Sequence, residues 1–131
     1  MMISSDKVAV FDGDGTLCKT KTNGQTYLDV EPRMDVVNKL IEFQNEGVYI
    51  ILYSSRQVKT YEGNIGKINA NTAKTLFKWL EKHEIPYDEI HFGKPWCAKG
   101  FYVDDKAVRP SEILGKSFEE VVAMIKTEGT L

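Results

Sequence analysis

The hydrophobic positions of the chain fall into short apolar runs that alternate with longer amphipathic stretches. The runs are KVAVF at 7–11, VYIILY at 48–53, EIHF at 89–92 and FYV at 101–103. Short runs rich in β-branched and aromatic residues are typical of buried strands in a parallel sheet. The sequence therefore predicts four strands.

Three other segments repeat apolar residues at helical spacing. They are predicted as helices over 32–46, over about 70–84, and after SFEE at 117–120, which matches a capping box. The polar stretch at 54–69 is predicted to be a loop. The apolar helix positions are Val36, Val37, Leu40 and Ile41; Ala73, Leu76, Phe77 and Leu80; and Phe118, Val121, Val122 and Ile125.

Strands that alternate with helices imply parallel β-α-β units. We therefore expect an α/β fold, a three-layer α/β/α sandwich with a Rossmann-like parallel sheet, formed by one domain over 1–131. Asn23-Gly24 is a strong hairpin signal between two threonine-rich stretches, so residues 18–30 are predicted to form a small β-hairpin flap.

Composition and charge narrow the class of protein. The chain of 131 residues is 42% hydrophobic, with a net charge of −2, values that suit a soluble globular domain. The acidic balance weighs against broad nucleic-acid binding, and no apolar run is long enough for a membrane span. The N-terminal MMISSDK lacks the apolar core of a secretion signal, so a cytoplasmic location is expected. Cys18 and Cys97 make no disulfide framework.

Polar side chains follow each predicted strand at the point where the strand ends. In parallel sheets the carboxyl ends of the strands share one edge, where ligands bind. The sequence therefore predicts one polar site built from separate parts of the chain. The candidates are Asp12 and Asp14 after the first strand, Ser54 after the second, Lys94 after the third, and Asp104 and Asp105 after the fourth.

Carboxylates that converge on one edge repel one another. A Mg²⁺ ion bound by their oxygen atoms would neutralise that repulsion. Asp12 leaves the strand first and is the candidate nucleophile on phosphorus, with Asp14 as the acid and base. The two are expected to titrate as a coupled pair. Candidates for phosphate binding are the Ser54 hydroxyl, the Lys94 ammonium group, Thr16 and Gly15.

Three other motif assignments fail on spacing. A calcium loop that starts at Asp12 would need glycine and glutamate where Leu17 and Asn23 stand. A dinucleotide-binding loop that starts at Gly13 would end in Cys18 instead of glycine. A P-loop that ends at Gly115-Lys116-Ser117 would need its first glycine at Pro110.

The ordered set of motifs resembles the haloacid dehalogenase-like (HAD) hydrolases. FDGDGTL at 11–17 resembles their first motif, DxDGT, and IILYS at 50–54 resembles the second. GKP at 93–95 resembles the third motif, and FYVDD at 101–105 resembles the fourth. Longer strings, including TYEGNIGKIN and FYVDDKAVRPSE, resemble short phosphatases of capsule polysaccharide biosynthesis.

The resemblance implies the same roles for Asp12 and Asp14 and adds the backbone carbonyl of Asp14 to the Mg²⁺ ligands. An aspartate at position 14 fits the phosphatases of this superfamily better than its dehalogenases or transport ATPases. The resemblance also implies that Asp104 binds the metal, and that Asp105 either binds it directly or accepts a hydrogen bond from a group that does. Ser54 and Lys94 would bind the phosphoryl group.

The sequence has no insertion large enough for a cap domain, so the site is expected to be open or closed by a neighbouring copy in a homo-oligomer. The preferred substrate is a sugar phosphate or related metabolite, and Arg56, Lys67 and Arg109 are candidates for selecting it. Two alternatives stay open: a phosphatase acting on polynucleotide ends, and a phospho-accepting receiver or binding module without turnover.

Overall fold

The structure is a computed structural model, and it describes residues 7–57, 59–97 and 99–128. The residues before Lys7, on which the expected lack of a secretion signal depends, lie outside the described part. Within the described ranges, no helix combines the length and the apolar character that crossing a bilayer requires.

The four predicted strands form one parallel sheet. They are β1 (Val8–Asp12), β2 (Tyr49–Ser54), β3 (Glu89–Phe92) and β4 (Gly100–Val103). Their spatial order is β3-β2-β1-β4, and each neighbouring pair is parallel. This order confirms the predicted α/β fold with a Rossmann-like sheet, and it places β1 between β2 and β4.

In the described part of the chain, three α-helices accompany the sheet: α1 (Met34–Asn45), α2 (Ile65–Lys82) and α3 (Phe118–Glu128). The main core packs α1 and α2 on one face of the sheet, as their helical spacing predicts. The indole N–H of Trp79 also donates to the carbonyl of Val30 at 2.7 Å, which joins α2 to the flap region. The core side chains are Ala9, Phe11, Leu17, Cys18, Val30, Val37, Leu40, Ile50, Leu52, Leu76, Trp79, Leu80 and Ile85.

The helix α3 begins as predicted but buries less than its sequence pattern predicts. The backbone N–H of Ser117 donates to Glu120, and the N–H of Glu120 donates back to the Ser117 hydroxyl, so the capping box forms. No described residue of α3 is fully buried. Phe118, predicted to lie on its apolar face, is 79% exposed because it stands at the first position of the helix.

The prediction for the start of α2 is wrong by about one turn. The helix begins at Ile65, so residues 65–69 are helical rather than part of the predicted loop. The Asn64 side chain accepts a hydrogen bond from the Lys67 backbone N–H at 3.1 Å and caps the helix. Polar residues and a glycine in this first turn, Gly66, masked the helical pattern.

The predicted β-hairpin over 18–30, called the flap segment below, is also wrong. The turn at Asn23-Gly24 forms, but no strand flanks it, and Tyr27–Asp29 is a 3₁₀ helix. Thr26 and Asp29 hydrogen-bond to each other through their side chains at 2.7 Å. Such local side-chain bonds favour turns over an extended ladder. Only the base is closed, by an antiparallel bridge between Cys18 and Pro32.

Candidate metal and phosphate site

Three carboxylates meet at the carboxyl edge of the sheet, as the sequence predicts. Asp12 is the last residue of β1, and Asp104 and Asp105 follow β4, which pairs with β1 in parallel. Each of these aspartates offers an oxygen atom, and the three atoms lie within 4.8 Å of one another. We call this group the acidic cluster.

Neighbouring groups hold the carboxylate of Asp104 and the backbone of Asp105 in place. The Tyr53 hydroxyl donates to one oxygen of Asp104, and the Lys106 backbone N–H donates to the other at 2.8 Å. The Asp105 backbone N–H donates to the Thr16 hydroxyl at 3.1 Å, which joins the loops after β1 and β4. These bonds hold the loop that follows β4 against β1 and β2.

Tyr53 is a site residue that the sequence reading missed. Burial, together with the hydrogen bond to Asp104, raises its pKa far above the usual value, so its hydroxyl stays a donor. The available signal was its position, directly before Ser54 at the end of β2. In the sheet it pairs with Asp12 of β1.

Gly15 leaves room for the acidic cluster. Its φ of +85° lies in the left-handed region, and a Cβ atom there would come within 2.2 Å of an Asp105 carboxylate oxygen. Its N–H donates to the Cys18 carbonyl at 2.8 Å, and its own carbonyl accepts from Arg33 at 3.3 Å. Gly15 therefore brings the loop after β1 close to Asp105.

The acidic cluster fits a hard divalent cation. Burial and the charges of Asp104 and Asp105 raise the pKa of Asp12 from 3.8 to about 7. Ionising all three carboxylates together is unfavourable unless a positive charge lies between them. Closely spaced oxygen ligands of this kind are those that Mg²⁺ takes in proteins.

The carboxylate of Asp14 lies apart from the acidic cluster, in an ion pair with Arg56. An Nη2 atom of Arg56 lies 2.8 Å from one oxygen of Asp14, and Nε lies 3.4 Å from the other. The structure thus pairs Asp14 with Arg56 rather than with Asp12. The charges that raise the pKa of Asp12 come from Asp104 and Asp105.

Arg56 is held rigidly in this pairing. The residue is only 5% exposed, and the Tyr27 ring covers its guanidinium group at 4.1 Å. The Cys18 thiol also reaches the Asp14 carboxylate, at 3.5 Å, and burial raises the pKa of that thiol to about 12. The Asp14 carboxylate is therefore held by the buried guanidinium group of Arg56, and it lies beside the neutral thiol of Cys18.

The predicted phosphate-binding residues have different surroundings. Ser54 is buried, and its hydroxyl accepts the Arg56 backbone N–H at 3.0 Å. Thr16 is also buried and accepts from Asp105. Lys94 is exposed, and its Nζ lies over the Tyr102 ring at 4.3 Å. None of the contacts described for Lys94 reaches the acidic cluster.

Of the three candidates for substrate selection, only Arg56 contacts another predicted site residue. Lys67 lies in the exposed first turn of α2. Arg109 precedes the 3₁₀ helix Pro110–Ile113, and its backbone N–H donates to Glu112 at 2.7 Å. The contacts described for Lys67 and Arg109 do not bring them to Asp14 or to the acidic cluster.

A cavity of about 410 Å³ opens beside the Asp14–Arg56 pair. It lies between the flap segment, the loop after β2 and one side of α2, and we call it the polar groove. Its lining residues are Lys21, Gln25, Thr26, Tyr27, Arg56, Gln57, Tyr61, Asn71, Thr72 and Thr75.

Fold and site together define an α/β protein with an acidic cluster at the carboxyl edge of a parallel sheet. The chain is 46% identical to a crystallised MCSG target from Vibrio cholerae, over 93% of this chain and 98% of that one, with a TM-score of 0.64. It therefore belongs to the same protein family as the Vibrio cholerae protein.

Two further solved structures are more distant. Chains in the Pnkp1/Rnl/Hen1 complex and in the Pnkp1/Rnl/Hen1 RNA repair complex are each 22% identical to this one, with TM-scores of 0.48 and 0.44. The matches cover 72% and 95% of this chain but only 31% and 40% of those chains. No family model matches the chain, and no curated protein matches it.

Proposed function

We propose that the protein is a Mg²⁺-dependent phosphomonoester hydrolase of the HAD superfamily that acts through an aspartyl-phosphate. The observation that carries the proposal is the division of the carboxylates at one sheet edge. Asp12 faces Asp104 and Asp105, whereas Asp14 is held apart by Arg56. A cation site and a separate acid and base are thus available side by side.

In the proposed reaction an oxygen of Asp12 attacks the phosphorus atom, and the bond from phosphorus to the leaving oxygen breaks. Asp14 gives its proton to that leaving oxygen. In the second step Asp14 takes a proton from water, the water oxygen attacks phosphorus, and the bond to Asp12 breaks. The products are the alcohol and inorganic phosphate, and both aspartates return to their starting states.

Asp12, Asp104 and Asp105 would hold the Mg²⁺, together with the backbone carbonyl of Asp14. When bound, the ion neutralises charge on the carboxylates and on the phosphoryl oxygens. Arg56 fixes the Asp14 carboxylate by contacts to both oxygens, a geometry that only arginine provides. Arg56 is therefore a positioning residue in this proposal.

We propose that Ser54 and Lys94 bind the phosphoryl group. Ser54 stands beside the site, with its hydroxyl accepting from Arg56, so the hydroxyl hydrogen remains available as a donor. Lys94 lies on the loop just past β3 and has a long, flexible stem. In this proposal the Lys94 ammonium group moves from the Tyr102 ring towards the bound phosphate.

The proposed substrate is a sugar phosphate or a related metabolite, of the type used for capsule or polysaccharide precursors. The family motifs and the longer strings quoted from the sequence support it, and the net charge of −2 disfavours a polynucleotide end. A second copy that closes the site, and a cytoplasmic location, remain predictions of the sequence.

The test is phosphate release from a panel of sugar phosphates, nucleotides, phosphopeptides and end-phosphorylated oligonucleotides, with Mg²⁺ and with a chelator. We expect release from sugar phosphates that requires Mg²⁺. Release mainly from the oligonucleotides would favour the end-phosphatase alternative. A folded sample that binds Mg²⁺ and releases phosphate from none of these substrates would contradict the proposed hydrolase.

A further inference from the structure

We infer that the polar groove is the subsite for the leaving group, and that it accepts a small polyhydroxylated molecule such as an aldose. The inference rests on the proposed phosphatase function and adds the residues that recognise the substrate. It assigns that recognition to the flap segment, the loop after β2 and α2, rather than to Lys67 or Arg109.

The position of the groove supports this role. Arg56 lines the groove and also binds both oxygens of Asp14. A leaving oxygen that receives its proton from Asp14 must lie next to that carboxylate. The remainder of the leaving group then extends past Arg56 into the space between Tyr27 and Tyr61.

The chemistry of the lining matches hydroxyl groups. Amides and hydroxyls, which both donate and accept hydrogen bonds, make up most of the lining. Tyr27 and Tyr61 add aromatic surface for the C–H faces of a sugar ring. The amide and hydroxyl residues are Gln25, Gln57, Asn71, Thr26, Thr72 and Thr75.

One of these donors is built into the site at a conformational cost. Gln57 has a φ of +60°, which is unfavourable for a residue with a side chain. The hydroxyl of Thr72, a residue only 2% exposed, donates to the Gln57 side-chain oxygen. This bond orients the amide and leaves its N–H groups as donors for an acceptor on a ligand.

Charge and volume exclude larger anionic partners from the groove. Lys21 and Arg56 are its cationic residues, and Asp14 already neutralises Arg56. A polyanion such as a nucleic-acid strand needs several phosphate-binding cations. The volume of about 410 Å³ lies within the roughly 300–1,000 Å³ typical of small-molecule sites.

The experiment compares substrates with and without hydroxyl groups in a groove variant and a matched control. Asn71→Leu removes an amide from the groove, and Asn38→Leu makes the same change at an exposed position of α1. Steady-state rates are measured on a panel of hexose, pentose and amino-sugar phosphates and on p-nitrophenyl phosphate, all with Mg²⁺.

We expect Asn71→Leu to lower kcat/KM for the preferred sugar phosphate at least fivefold more than for p-nitrophenyl phosphate, mainly through KM. Asn38→Leu should leave both values unchanged. Equal losses on the two substrates, or no loss on either, would overturn the groove assignment while the phosphatase stands. Absence of phosphate release by the unmodified protein from every substrate would overturn both.

Discussion

At the scale of single residues, the site depends on which partner each aspartate has. Asp12 shares its surroundings with Asp104 and Asp105, so its negative charge is disfavoured until a cation is present. Asp14 instead has the guanidinium group of Arg56 as its partner, at 2.8 Å. The Asp-Gly-Asp spacing thus separates two carboxylates that the sequence places next to each other.

A residue-scale prediction concerns the glycine that faces the acidic cluster. Gly15→Ala adds a Cβ atom within 2.2 Å of Asp105, whereas Gly24→Ala adds one at a similar φ of +87° with no atom within 4 Å. Both changes strain the backbone by about 1–2 kcal/mol, so their difference reports the contact with Asp105. We expect Gly15→Ala to be the more destabilising in urea unfolding.

The same pair of variants tests the metal site. Because Asp105 must move away from the added methyl group, we expect Gly15→Ala to weaken Mg²⁺ binding at least tenfold in calorimetry. Gly24→Ala should bind Mg²⁺ like the unmodified protein. Equal Mg²⁺ affinities in the two variants would show that Gly15 and Asp105 do not share a metal site.

At the scale of elements, α2 forms one wall of the polar groove and is joined to the wall opposite. Asn71, Thr72 and Thr75 of this helix line the groove together with residues of the flap segment. Trp79 of the same helix binds the carbonyl of Val30 at the end of that segment. One helix thus supplies the groove wall and the anchor for the opposite wall.

The cap of α2 gives an element-scale prediction. Asn64→Ala removes the acceptor for the Lys67 N–H and should lower the free energy of unfolding by about 1 kcal/mol. Asn64→Asp keeps an acceptor and should retain most of that stability. Asn38→Ala, at an exposed position inside α1, is the control and should change little. The measurement is urea unfolding followed by circular dichroism, and an unaffected Asn64→Ala protein would contradict the assigned cap.

The elements that the sequence could predict are mainly those whose burial leaves a regular pattern of apolar residues. The four strands and the position of Asp12 at a strand end were predictable from apolar runs, which burial produces in β1 and β2. The run of β4 is apolar although most of its residues are exposed. The structure of the flap segment was not predictable. Thr26 and Asp29 form a local side-chain hydrogen bond that competes with strand pairing, and such a bond leaves no periodic pattern in the sequence.

Long-range partners were the other part that the sequence could not supply. The acidic cluster was foreseen, since parallel strands bring their carboxyl ends to one edge. The Tyr53 bond to Asp104 and the Arg56 pair with Asp14 depend on side-chain directions in the folded chain. Arg56 was predicted to select the substrate, and nothing in the sequence indicated that its guanidinium group also pairs with Asp14.

At the scale of the whole molecule, the acidic cluster links stability to pH and to metal. The pKa of Asp12 is about 7 in the folded chain, against an ordinary value of 3.8. Between these two values the folded state binds a proton that the unfolded state has lost. The contribution of Asp12 to stability therefore falls as pH rises from about 4 to 7.

A bound divalent cation reverses this trend because it favours the ionised carboxylates. We expect saturating Mg²⁺ to raise the Tm by about 5–10 °C at pH 8 and by clearly less at pH 5. Thermal unfolding with Mg²⁺ or chelator at matched ionic strength measures both shifts. Asp105→Asn should lose the shift, and Glu81→Gln, an exposed charge removal on α2, should keep it. Equal shifts at the two pH values would contradict the linkage.

The proposed mechanism requires that Asp12 becomes phosphorylated during turnover. The most direct test is acid quenching of the protein with Mg²⁺ and a hydrolysed substrate, followed by mass spectrometry of the peptide that contains Asp12. Asp14→Asn should slow both the formation and the breakdown of the phosphorylated form, because it removes the acid of the first step and the base of the second. We predict a phosphoryl group on Asp12 and none in Asp12→Asn, which should also fail to release phosphate. Phosphate release by Asp12→Asn at the unmodified rate, with no phosphorylated peptide in either protein, would contradict the mechanism.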